Sequence, residues 1–192
     1  MNKPSLGFAV TGSHCTLQRV LPVLKQLCES YRVLPIFSFT VAQTDTRFQA
    51  SREFLQAVKD ITGVEPVTTI PQAEPIGPKA LLDVLLVCPC TGNTLAKLAQ
   101  GITDTPVTMA CKAHMRNNRP LVLSISTNDG LGLNAQNLGR LLSVKNIFFV
   151  PFGQDDWEHK PNSLGADLSL VSETCRLSLE GRQLQPILRT LG

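Results

Sequence analysis

Four short stretches of this chain gather the small hydroxyl, amide and glycine residues that hold a phosphate. They are Thr11-Gly12-Ser13-His14, Ser38-Phe39-Thr40, Thr91-Gly92-Asn93-Thr94 and Ser126-Thr127-Asn128-Asp129. Glycine lets backbone amides approach an anion, hydroxyls donate to it, and a helix that begins at such a stretch adds its dipole. Asn93, Thr94 and Asn128 offer donors and acceptors together, which suits a polar ring and a polyol linker. Each stretch taken singly is an ordinary cap or turn; four at the ends of strands argue for a ligand. His14 stands beside the first loop, where it would touch an anion or act as an acid, against the plainer reading of a surface histidine at a turn. An anionic ligand would find His14, Asn128 and Arg119 as its candidate partners.

Other chemistries lack their residues. No GxGxxG follows the first apolar run and no acidic residue ends the second, which disfavours a nicotinamide fingerprint. No strained G-x-S-x-G elbow frames Ser13, so a serine hydrolase is set aside. The six cysteines (15, 28, 88, 90, 111 and 175) sit mostly in apolar runs without a disulfide framework or a C-x-x-C pair, and read as reduced thiols of a cytoplasmic protein. Cys88-Pro89-Cys90 has no second Cys or His pair to complete a metal site. His114, near Lys112, Arg116 and Arg119, reads as part of a solvated basic face. Asp155-Asp156-Trp157-Glu158-His159 reads as an exposed loop, against a lid or a subunit contact.

The elements that must position these loops follow from periodicity. Leu6–Val10 is a buried strand. Thr16 to Ser30 spaces its apolar residues as one helix face, with Pro22 tolerable near the first turn or as a kink. Arg32–Phe39 is a second strand, and Arg47–Thr62 a helix closed by Gly63. Pro66–Lys79, with four prolines, reads as a rigid loop. Asp83–Cys88 is a strand apolar enough to be covered on both faces, followed by a helix over Thr91–Gln100. Thr105-Pro106 opens another helix, to about Asn117, with Thr at the N-cap and Pro at N1. Leu121–Ser126 and Ile147–Phe152 are strands around a helix at Asn134–Ser143. A last helix spans Ala166–Glu180, and Arg182–Gly192 docks on a surface or on a neighbouring protomer. Alternating strands and helices over 192 residues predict a single α/β domain, residues 1–192, with a flavodoxin-like or Rossmann-like doubly wound parallel sheet in three α/β/α layers. A net charge of +3 is too mild to argue for nucleic acid. The longest apolar run is too short for a membrane span, and no signal peptide opens the chain.

At Pro89–Asp104 the sequence resembles the flavoprotein family of FMN-binding cysteine decarboxylases and prenyl transferases. Its pattern P-x-[ST]-x-N-T-x-A-K-x-A-x-G-x-x-D is met at every fixed position, and Thr11-Gly12-Ser13 resembles the family's phosphate loop. The resemblance implies FMN contacts at Gly12, Ser13, Ser38, Thr40, Thr91, Asn93 and Thr94, with Gly92 and Asn128 in the same loops. It also implies a symmetric homo-oligomer, trimeric or a multiple of it, because such flavoproteins complete their flavin sites across contacts between copies.

The strings TGSHCT, RNNRPLVLSISTNDGLGLN, KNIFFVPFGQDD, KPNS and QLQPIL are similar to a branch of the family found in spore-forming bacteria. That likeness implies a sporulation role beside a nicotinamide-dependent A subunit, which supplies NADP, in making dipicolinic acid from a lysine-pathway dihydropicolinate-type intermediate. Two departures bear on activity. The decarboxylases carry a catalytic histidine just before the third strand, where Pro78–Asp83 has none. Their P-A-M-N motif is Ile125-Ser126-Thr127-Asn128 here, keeping only the asparagine. The alternatives are a non-catalytic partner that stabilises the A subunit, and an FMN-dependent decarboxylase using another acid.

Overall fold

The computed structural model describes residues 3–13, 16–45 and 50–190. Strand β1 (Ser5–Val10) runs into helix α1 (Leu17–Ser30), whose Val20, Leu24 and Leu27 are fully buried. Pro22 lies in the second turn of α1, inside the helix. Strand β2 (Arg32–Phe37) ends two residues earlier than its composition predicts. Ser38 caps a short helix α2 (Phe39–Gln43), its hydroxyl accepting from the Val41 amide at 3.4 Å, so Phe39 joins a helix instead of the strand. Helix α3 (Ser51–Thr62) closes at Gly63, which takes the left-handed φ of 68° that favours glycine. The expected helix start at Arg47 lies outside the described residues.

The predicted loop at Pro66–Lys79 is instead two short helical turns, α4 (Ile70–Ala73) and a 3-10 turn at Glu74–Ile76. Proline is tolerated in a first turn because its missing N–H has no intrahelical acceptor there. Pro71 and Pro75 each occupy such a position, and Thr69 and Gln72 form a reciprocal capping box. Strand β3 (Val84–Cys90) is buried along its length and leads to α5 (Gly92–Gln100), which ends at Gly101 with φ 72°. Helix α6 (Pro106–Met115) starts from a Thr105–Thr108 capping box, and β4 (Leu121–Thr127) and α7 (Ala135–Leu142) follow.

The predicted strand over 147–152 divides into β5 (Ile147–Phe149) and β6 (Phe152–Gly153). Pro151, which has no N–H to give a ladder, stands between them. Strand β7 (Leu164–Ala166) takes residues at the predicted start of the last helix. Asp167 then caps a 3-10 turn at Leu168–Leu170, so helix α8 begins only at Val171 and runs to Leu179.

Strands β2-β1-β3-β4-β5 pair in that order, all parallel, and β7 joins β4 antiparallel with β6 beyond it. This is the flavodoxin-like, doubly wound order. Side chains alternate across β4: Leu121, Leu123 and Ile125 pack toward α5, α6 and α7, while Val122 faces α1 and α8. The buried thiols behave as small hydrophobes, and burial pushes Cys88 and Cys111 up to about 12. The tail returns to the sheet of its own chain. Phe152 N–H donates to the Ile187 carbonyl at 2.9 Å, and Arg189 N–H to the Phe152 carbonyl at 2.8 Å. The Gln183 amide meets Phe149 twice, accepting from its N–H at 2.8 Å and donating to its carbonyl at 2.7 Å. Among the described residues no helix is long and apolar enough to cross a membrane.

Candidate functional site

In the order β2-β1-β3-β4-β5 the chain leaves β1 toward one side of the sheet and re-enters at β3 on the other. The loops after β1 and β3 therefore diverge and open a crevice at their carboxyl ends, where open α/β sheets bind ligands. Thr11, at the end of β1, is buried and ties the two loops together. Its hydroxyl donates to the Pro89 carbonyl at 2.8 Å and accepts from the Thr91 amide at 3.0 Å. Thr91 caps α5 and passes its own hydroxyl hydrogen to Thr94 Oγ1 at 3.1 Å. That leaves the Thr94 hydrogen to be given outward.

Ser13, on the β1 loop, meets Ser126 of β4 oxygen to oxygen at 2.9 Å, and Thr16 joins both. The Ser38 amide donates to the Val10 carbonyl at 3.0 Å, which brings the β2 end beside β1. Because the Ser38 hydroxyl caps α2 as an acceptor, its hydrogen also remains available. Asn93 and Asn128 are exposed at the mouth, and Thr40 is exposed in the first turn of α2. These donors, with the start of α5, fit a phosphate and a polar ring system at the β1/β3 crevice.

The β4 loop is held to the start of α7 by a carboxylate. Asp129 accepts from the Thr127 hydroxyl at 2.7 Å and from Asn134 Nδ2 at 2.8 and 3.0 Å, and Asn137 supports Asn134 at 3.0 Å. These donors hold the Asp129 carboxyl below the usual carboxylate range. Gly92 abuts the same network: a Cβ there would stand 2.5 Å from Thr127 Oγ1 and 2.6 Å from Asn134 Nδ2. A close approach of loop and helix requires glycine at that position.

Two sequence expectations are corrected. Arg119 is not at the crevice. It precedes β4 and so lies at the amino ends of the strands, donating to the Ala80 and Leu82 carbonyls with Asp83 at 3.5 Å. His114 is not on a solvated face; it is 1% exposed, with Nε2 2.9 Å from the Pro120 carbonyl, and burial lowers its pKa. His14 lies outside the described residues. His159 sits on the surface with Nδ1 2.9 Å from Asp156 Oδ1.

A cleft of about 670 Å3 opens beside the crevice, between β4, α1 and the β6–β7 segment. Arg19, Ser124, Asp155 and Lys160 line it, and none of these stands out as a site residue in the sequence. The available signal was in β4, where Ser124 and Ser126 alternate with apolar residues near the strand's carboxyl end.

The family model described as Flavoprotein matches residues 1–160. The chain belongs to the Flavoprotein family. This flavoprotein is 52% identical over 184 residues to the dipicolinate synthase B subunit of Bacillus subtilis (strain 168), covering 95% of the chain and 92% of that relative. It is similar in structure to the dipicolinate synthase B subunit from Bacillus halodurans, with a TM-score of 0.91, 46% identity and 100% of each chain covered. The FMN binding protein AtHal3 shares the fold at a TM-score of 0.64 and 22% identity, over 95% of this chain and 100% of that one.

Proposed function

We propose that this flavoprotein binds FMN at the β1/β3 crevice and acts as the B subunit of a dipicolinate synthase. With the NADP-carrying dipicolinate synthase A subunit, it makes dipicolinic acid from a dihydropicolinate-type intermediate of the lysine pathway, in the cytoplasm of a sporulating cell. The observation that carries the flavin reading is the set of hydroxyl donors around a topological switch point. Gly12, Ser13 and Ser38 would hold the phosphate; Thr91, Gly92, Asn93, Thr94 and Asn128 would face the linker and ring, with Thr40 at the rim. Bound FMN supplies a two-electron redox centre. Aromatising the dihydro ring releases a hydride and a proton, and a nicotinamide cofactor held by the A subunit would supply the hydride acceptor. The likeness to two B subunits supports this division.

A symmetric homo-oligomer belongs to the same reading. Its support within the chain is a run of exposed apolar side chains around α7, Leu131, Leu133 (83% exposed), Leu142 and Val144, which a second copy would cover.

The test is an FMN titration followed by the flavin absorbance bands, then reconstitution with the A subunit. Wild type is expected to take up FMN, and Ser13→Asp to lose it through charge repulsion at the phosphate. Dipicolinate should form only when both proteins are present. An absence of FMN uptake at millimolar concentration would remove the flavin assignment. Full turnover by this chain alone would refute the division of labour.

A further inference from the structure

The cleft shares Thr16, Pro89 and Ser126 with the crevice, and the flavin reading leaves the rest of its lining unused. Its floor is β4, where Ser124 is 1% exposed and its hydroxyl makes no hydrogen bond among the described residues, although the Cys88 thiol lies close by. A buried hydroxyl without a partner costs stability unless something supplies one. Arg19, from α1, makes no hydrogen bond or ion pair with the described residues. Lys160 lies near enough to Asp156 to lower that carboxyl but forms no direct ion pair with it.

The acids of the cleft are not equivalent. Asp167 is held by Ser169 and stands 3.8 Å from Arg189, and Asp156 is held by His159. Asp155 alone among the three carboxylates makes neither a hydrogen bond nor an ion pair with the described residues. The cleft thus presents two uncommitted cations, one uncommitted carboxylate and one buried hydroxyl, in a volume of ordinary small-molecule size.

We infer that this cleft is a separate binding site for a small dicarboxylate that also carries an N–H, with Arg19 and Lys160 taking the carboxylates, Asp155 the N–H, and Ser124 a carboxylate oxygen. The inference rests on the dipicolinate-synthase reading for its ligand class. It replaces Arg119, which lies at the far end of the sheet, as the cation that holds an anionic intermediate. Asp155 would also separate a reduced ring whose nitrogen bears a hydrogen from an aromatic pyridine, whose nitrogen does not.

Calorimetric titration of the full chain, in metal-free buffer with and without FMN, tests this with two probes, piperidine-2,6-dicarboxylate and dipicolinate. Both should bind, the piperidine more tightly. Arg19→Gln and Lys160→Gln should each weaken both probes roughly tenfold, as loss of a charge-assisted hydrogen bond does, with FMN uptake unchanged. Asp155→Asn should erase the preference for the piperidine. Ser124→Ala should weaken binding while the thermal midpoint holds or rises, a pattern that damage to the fold would not give. The inference is overturned if neither probe binds at millimolar concentration, if both cation variants bind as wild type, or if FMN and the probes compete. FMN uptake in the same samples reports separately on the flavin assignment.

Discussion

Thr11 shows how much one hydroxyl can organise when it works as donor and acceptor at once. It satisfies the Pro89 carbonyl and the Thr91 amide across two strand ends that are 78 and 80 positions away in sequence. Thr11→Val keeps the shape and leaves both backbone groups without their partner. We expect a loss of about 2 kcal/mol, read as a lower urea midpoint at unchanged slope, together with weaker FMN uptake because Thr91 and α5 are no longer held. A fully wild-type midpoint would show that the contact is dispensable. Arg119 teaches the opposite lesson about reading residues from sequence. It precedes Leu121, so strand polarity alone assigns it to the amino end of β4, however suitable its charge. Arg19, Lys160 and Asp155 were invisible for a different reason: an exposed charge on a helix or loop looks the same in sequence whether it faces solvent or a cleft.

Among the elements, those with a chemical start and stop were legible. Thr105-Pro106 and Gly101 mark α6 and α5 because a capping hydroxyl, a proline at N1 and a left-handed glycine each have one preferred place. The failures have equally local causes. Proline counting hid the two turns within Pro66–Lys79, since two of that segment's four prolines, Pro71 and Pro75, occupy first-turn positions where they do no harm. The break between β5 and β6 falls at Pro151, and the late start of α8 comes from β7, whose pairing with β4 and β6 is a tertiary choice that no periodicity records. Helix α6 also carries a pH dependence. Burial lowers His114 below its ordinary 6.5, so below that pH the unfolded chain binds a proton that the native chain refuses. Stability from this group is complete above pH 6.5 and is lost as pH falls from there toward the native pKa. The thermal midpoint of wild type should drop more between pH 7 and 5 than that of His114→Gln; equal drops would mean that other groups carry the effect.

For the whole molecule, the doubly wound order and the crevice at its switch point were legible because strands alternate with helices and four strand ends are rich in small polar residues. The adjoining cleft was not, because its walls come from α1, β4 and the return segment near Gly165. The Gln183 amide has a consequence at this scale. Phe149 lies on β5, an edge strand that among the described residues pairs only with β4, and its outward N–H and carbonyl are an open template for another chain's backbone. An amide side chain offers the same donor and acceptor as a peptide unit, so Gln183 acts as a one-residue counterfeit strand that occupies the template without extending it. In the proposed oligomer, copies would then meet through side-chain surfaces in a closed, countable particle, and growth along the sheet would be stopped. Light scattering at micromolar protein should give one discrete multiple of the chain mass for wild type and drifting, ever larger species for Gln183→Ala. A monomeric wild type would remove the oligomer, and a stable, discrete Gln183→Ala would show that the edge is guarded by something else.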